Sequence, residues 1–119
     1  MTVKRIAELR EARACTGEDD LDLAVSAACG ADLMSDVMAF VKEKVVLLTG
    51  LVKPQAIRTA DLLDIRVVVF VRGKTPSRDM VEAARESGMI LLSTNYSMFI
   101  SCGRLYEAGL RAGGTREIR

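Results

Sequence analysis

Three apolar runs open at Val45, Val67 and Met89, at equal intervals of 22 residues, and each leads into a polar turn. Val45-Val-Leu-Leu-Thr-Gly is apolar without alternation, the pattern of a strand covered on both faces. Arg66-Val-Val-Val-Phe-Val-Arg-Gly is the strongest strand, because β-branched and aromatic side chains compete poorly for helix. Met89-Ile-Leu-Leu-Ser-Thr-Asn completes the set. Between the runs lie helical patterns. Pro54 suits a first helical position, where its missing N–H costs nothing, and Ala56, Ala60 and Leu63 form an inward stripe. Thr75-Pro76 predicts the cap of a second helix with Met80, Val81 and Ala84 inward and Gly88 as its stop. Strand–helix units of this period predict consecutive right-handed crossovers rather than a solenoid.

The flanks extend the plan. Val25 to Cys29 reads as a strand that turns at Gly30 and enters a helix at Asp32, with Asp36 one turn in. Leu33, Met34, Val37, Met38 and Val41 give that helix one buried stripe. Thr2 caps a short amphipathic helix, Ala12 to Cys15 is a short strand, and Thr16-Gly-Glu-Asp-Asp is a solvated acidic loop. A last helix runs from about Tyr96 to Leu110 with Met98, Cys102 and Leu105 on one side. Within it, Gly103 is expected to allow close packing and Gly109 to weaken the end. The expected fold is α/β: a single small domain over residues 1–111, with a mainly parallel sheet of about four to five strands and flanking helices. Residues 112–119 read as a flexible tail.

Composition narrows the partners. The 119 residues suffice for one hydrophobic core and not for two. Net charge is +1, aromatics make up 4% and Trp is absent, so neither a basic face nor a base-stacking platform for nucleic acid is implied. The apolar runs are too short to span a bilayer, and the N-terminus lacks the apolar block of a secretory signal. Three cysteines without CxxC spacing fit reduced thiols and a cytoplasmic protein. There is no His, which removes the commonest general base and metal ligand together.

In an open parallel sheet, ligands bind beyond the carboxyl ends of the strands. Those ends carry Gly30 and Asp32, then Thr49 and Gly50, then Arg72 and Gly73, and finally Ser93, Thr94 and Asn95. With Ser35 and Asp36 from the helix after Asp32, these are the candidate ligand-binding residues. Glycines, hydroxyls, one Arg and helix N-termini suit a phosphate or carboxylate. Turn formation and helix capping call for the same residue types, so both readings stand. Asp32 and Asp36 fit capping or, less well, a Mg²⁺ site with only two hard ligands in view. Cys29 and Cys102 resemble small buried hydrophobes more than activated thiols. There is no GxxxxGK[ST] loop, and no catalytic residue, cofactor or metal is assigned.

Asp32-Leu-Met-Ser-Asp-Val-Met-Ala, the Thr-Gly and Val-Arg-Gly strand ends, Leu-Leu-Ser-Thr-Asn-Tyr-Ser and Cys-Gly-Arg-Leu-Tyr-Glu-Ala-Gly-Leu together resemble a DRTGG domain. The resemblance runs from Thr2 to about Leu110. The name-giving Asp-Arg-Thr-Gly-Gly would fall between Asp22 and Ala28. Asp22 matches, Leu23 replaces the Arg, Ser26 stands near the Thr, and Ala27-Ala28 replace the two glycines. DRTGG domains are similar to the N-terminal domain of HPr kinase/phosphorylase and accompany phosphate acetyltransferases and nucleotide-sensing CBS-domain pyrophosphatases. The resemblance implies a non-catalytic regulatory, ligand-sensing or assembly domain that self-associates, here as a homodimer. It also implies a nucleotide or phosphorylated metabolite as ligand, or a protein partner in a metabolic complex. The alternative is a small enzyme acting on a phosphoryl or acyl compound through Asp32 or Asp36 with Arg72.

Overall fold

The computed structural model describes residues 2, 4–6, 13–14, 25, 27–32 and 45–111. The expected helix after Asp32 with its stripe, Ser35 and Asp36, the acidic loop, Cys15 and the 112–119 tail lie outside the described residues. Five strands form one sheet: β1 (Arg13–Ala14), β2 (Ala27–Gly30), β3 (Val45–Thr49), β4 (Val67–Phe70) and β5 (Ile90–Ser93). Their order across the sheet is β1-β5-β4-β3-β2. The four from β2 to β5 run parallel, and β1 pairs antiparallel with β5 at the edge. The expected α/β fold and its mainly parallel sheet are both present.

Each parallel strand is apolar throughout because each is covered on both faces. On one face Val45, Leu47, Val68, Phe70 and Leu91 pack against Ala56, Ile57 and Ala60 of α1 (Pro54–Leu62) and Met80 and Ala84 of α2 (Arg78–Glu86). On the other face Val46, Leu48, Val67, Val69, Ile90 and Leu92 pack with Ile6 and with Leu105 of α3 (Met98–Glu107). Every fully buried Val, Leu or Ile here contributes about 1.5–3 kcal/mol relative to exposure. α1 and α2 share a face because each joins a strand to its next neighbour in the same direction, and right-handed crossovers then fall on one side. α3 follows the last parallel strand and lies on the opposite side. The chain then returns to the far edge, where Arg111 bridges Ala27 and its carbonyl accepts from the Ala28 N–H at 3.0 Å.

The helix ends refine the sequence reading. Thr2 does cap: its hydroxyl accepts from the Arg5 N–H at 3.2 Å. Pro54 stands at the start of α1 as expected. Ser77, rather than Thr75-Pro76, caps α2 by accepting from the Met80 N–H, and Ser97 does the same for Ile100 in α3. A serine directly before the first helical turn reaches the third N–H, which a residue one or two positions earlier cannot. α1, α2 and α3 end in the same motif, with paired bonds back to the last turn through Asp64-Ile65, Gly88-Met89 and Gly109-Leu110. Gly109, at φ +113, therefore terminates α3 with bonds rather than weakening it. Gly103 does not serve close packing within the chain either: it is exposed, and a Cβ there would meet nothing within 4 Å. The glycine that does is Gly30, where a Cβ would lie 2.8 Å from Cys102 Sγ and 3.1 Å from Met98 Sδ. Its bare backbone lets α3 close onto β2.

Candidate functional site

Because β2 to β5 are parallel and in register, their carboxyl ends reach the same edge of the sheet. A chain of hydrogen bonds joins all four ends. Beyond β2, Asp32 Oδ1 accepts from the Gly50 N–H at 2.6 Å and from the Thr49 hydroxyl at 3.2 Å. Beyond β4, Lys74 Nζ donates to the Gly50 carbonyl at 3.0 Å. At the end of β5, the Ser93 hydroxyl donates to the Lys74 carbonyl at 2.7 Å. Asp32, Gly50, Lys74 and Ser93 thus brace the rim from one side to the other.

After β4 the chain makes a tight turn in which the Lys74 N–H donates to the Val71 carbonyl at 3.3 Å. Both central residues have left-handed backbones, Arg72 at φ 60 and Gly73 at φ 71. That pattern is the type I′ one, which glycine enters freely and other residues enter at a cost of roughly 1 kcal/mol or more. The turn is held open to this conformation by β5's continuation: Arg72 N–H donates to the Tyr96 carbonyl at 2.8 Å and Gly73 N–H to the Thr94 carbonyl at 2.7 Å. A side chain at position 73 would also press its Cβ to 2.9 Å from Asn95 Oδ1.

The sequence-predicted residues divide by exposure. Thr49, Ser93 and Thr94 are buried, and their hydroxyls serve the strand ends: Thr49 Oγ1 accepts from the Leu51 N–H at 3.1 Å and Thr94 Oγ1 from the Tyr96 N–H at 3.3 Å. Asp32, Arg72, Gly73 and Asn95 are exposed and Gly50 is half-buried. Ser35 and Asp36 are outside the described residues. Lys74 is the rim residue that the strand-end reading did not single out. Its signal was an amine four residues past the end of β4, in Arg-Gly-Lys, where a left-handed turn sends the chain back along the rim. Behind the rim, the Arg104 guanidinium lies over the Tyr96 ring at 4.6 Å from its centre, tying the β5 turn to α3.

The exposed groups are two cations, an amide and one carboxylate already engaged with a backbone N–H and a hydroxyl. That set can receive an anion, since guanidinium and ammonium groups bind phosphate and carboxylate oxygens by charge-assisted bonds. Among the described residues, no group of three His, Cys, Asp or Glu could hold a metal ion. Cys29 packs with the first core cluster and Cys102 with the second, on opposite faces of the sheet, and no disulfide joins them.

No family model matches the sequence, and no curated protein matches it. Among solved structures, the chain is similar to the CBS and DRTGG domains of the regulatory region of Clostridium perfringens pyrophosphatase, complexed with its activator diadenosine tetraphosphate. The TM-score is 0.77 at 14% identity, over 98% of this chain and 50% of that one. The likeness supports a DRTGG-like fold. At that identity it is a likeness of backbone, and this chain spans half the length of the structure it matches. No helix among the described residues is long and apolar enough to cross a membrane.

Proposed function

We propose that this chain is a non-catalytic regulatory domain that binds a nucleotide or another phosphorylated metabolite at the strand-end rim. The observation that carries the reading is Arg72. Its backbone is held in a left-handed turn that disfavours any side chain, yet its guanidinium is exposed and has no hydrogen bond or ion pair among the described residues. Strain kept at an exposed cation is the signature of a group presented to a ligand. Lys74 supplies a second positive charge, and Asn95 a neutral donor and acceptor beside Gly73. The regulatory region that the fold resembles was solved with a dinucleoside polyphosphate activator, which agrees in ligand class. Asp32 has a bracing role here, because its Oδ1 accepts from the Gly50 N–H and the Thr49 hydroxyl.

The test is a thermal-shift screen with nucleoside di- and triphosphates, diadenosine tetraphosphate and inorganic triphosphate. Saturation at 100 times Kd stabilises the native state by about 2.7 kcal/mol, a shift of several degrees. The shift should vanish in the Arg72→Ala/Lys74→Ala double variant. A flat panel, or a shift that survives in the double variant, would refute the rim as the site.

A further inference from the structure

α3 begins where the strand-end rim stops. After β5 the Tyr96 carbonyl accepts from the Arg72 N–H at 2.8 Å, and Ser97 then caps the first helical turn. Side chains on a helix lean toward its N-terminus, so those of α3 lean toward the rim. Arg104 does so visibly: its guanidinium reaches back about two turns to lie over the Tyr96 ring, 4.6 Å from the centre. Along the same turns runs an open groove of about 650 Å³, lined by Arg5, Phe99, Ile100, Gly103, Arg104 and Glu107. Tyr96 therefore joins this groove to the strained turn that presents Arg72.

We infer that the groove takes the base and ribose of a nucleoside polyphosphate whose phosphates sit on Arg72 and Lys74. This rests on the rim reading above and selects the nucleotide from its two ligand classes. Phe99 is 83% exposed in the first turn of α3, beside the rim. With Gly103 and Glu107 it forms one row at i, i+4, i+8 spacing, next to Ile100 and Arg104 in the adjoining row. Gly103 interrupts its row with open space where a Cβ would be. The groove thus offers an aromatic ring, a guanidinium, a bare floor between two side chains and a carboxylate. A phosphate or small carboxylate has no use for the ring or the floor. A planar heterocycle uses both, since nucleobases stack on aromatic rings and guanidinium groups. A carboxylate accepts from ribose hydroxyls or an exocyclic amine. The volume lies within the range of small-ligand pockets, and one exposed ring suits a single base rather than a strand of them.

Calorimetric titration of the full chain with ATP, GTP, UTP and inorganic triphosphate tests the assignment. The tightest nucleotide should bind about tenfold or more tightly than triphosphate, as stacking of one base supplies. Phe99→Ala should reduce that preference to about threefold or less and leave triphosphate binding unchanged. Gly103→Leu, which fills the floor of the groove, should do the same. Both positions face solvent, and leucine is the better helix former, so both variants should fold as the wild type does. Nucleotides that bind no tighter than triphosphate overturn the inference and leave the rim reading standing. A nucleotide preference that stays intact in either variant also overturns it. Binding of none of the four compounds overturns both readings.

Discussion

The two ends of β4 carry the same pair of oddities, and they use them differently. Each end has an arginine, Arg66 or Arg72, and each has a non-glycine residue in the left-handed region, Asp64 at φ 58 and Arg72 at φ 60. At the amino end both are absorbed by the fold. Asp64 closes α1, with its N–H bonded to the Asp61 carbonyl and the following Ile65 N–H to Ala60, and its carboxylate meets Arg66 at 2.7 Å. Arg66 also donates to the Ser87 carbonyl, which joins the end of α2 to the same corner. At the carboxyl end the backbone is just as constrained, but the guanidinium it carries is left exposed. The backbone is bonded at both ends; the difference is that the Asp64 side chain is paired with Arg66, whereas the Arg72 side chain has no such partner among the described residues.

Substitutions can break or sharpen that contrast. The largest effect is expected at the brace. Asp32→Ala removes the acceptor of the Gly50 N–H and of the proton donated by the buried Thr49 hydroxyl, and should cost about 2 kcal/mol in urea unfolding. Gly73→Ala comes next, at about 1–2 kcal/mol, because the new Cβ meets both a left-handed backbone and Asn95. Asparagine at position 95 trimmed to Ala should recover part of that loss. The most diagnostic pair is smaller. Arg72→Gly should stabilise the fold by about 1 kcal/mol while abolishing the anion-induced thermal shift, the trade-off of a strained functional residue. Asp64→Gly should change stability by no more than about 0.5 kcal/mol, since Asp tolerates the left-handed region and the lost pair with Arg66 is half-exposed. If Arg72→Gly instead destabilises, the turn is an ordinary structural one and the contrast between the ends disappears.

The sheet was legible in the sequence because its signal is strong and local. Val67 to Phe70 is β-branched and apolar throughout, and Ile90 to Leu92 is an apolar run bounded by turn residues, so both read as doubly covered strands. The spacing then limited their order to successive neighbours. The helix ends were less legible. Asp64 does the work at α1 that glycines do at α2 and α3, and nothing in Leu-Leu-Asp-Ile marks a left-handed residue. Gly103 read as a close-packing residue and Gly109 as one that weakens the helix end, yet Gly103 lies bare on the surface and Gly109 terminates the helix with a bond. At the rim, sequence placed the residues on one edge but could not tell inward hydroxyls from outward cations. The face a residue presents after a strand ends is set by the turn it enters, and the left-handed step at Arg72-Gly73 is what brings Lys74 back to Gly50.

The return of the chain to β2 has one more effect. A sheet whose outermost strands show open rows of N–H and C=O groups invites another molecule to add on. Here one border is occupied by the two-residue antiparallel β1. The other is engaged by Arg111, whose carbonyl takes up the Ala28 N–H. With both margins partly closed by such short segments, the sheet offers little for strand addition. Addition of a further strand at either margin of the sheet is thereby disfavoured.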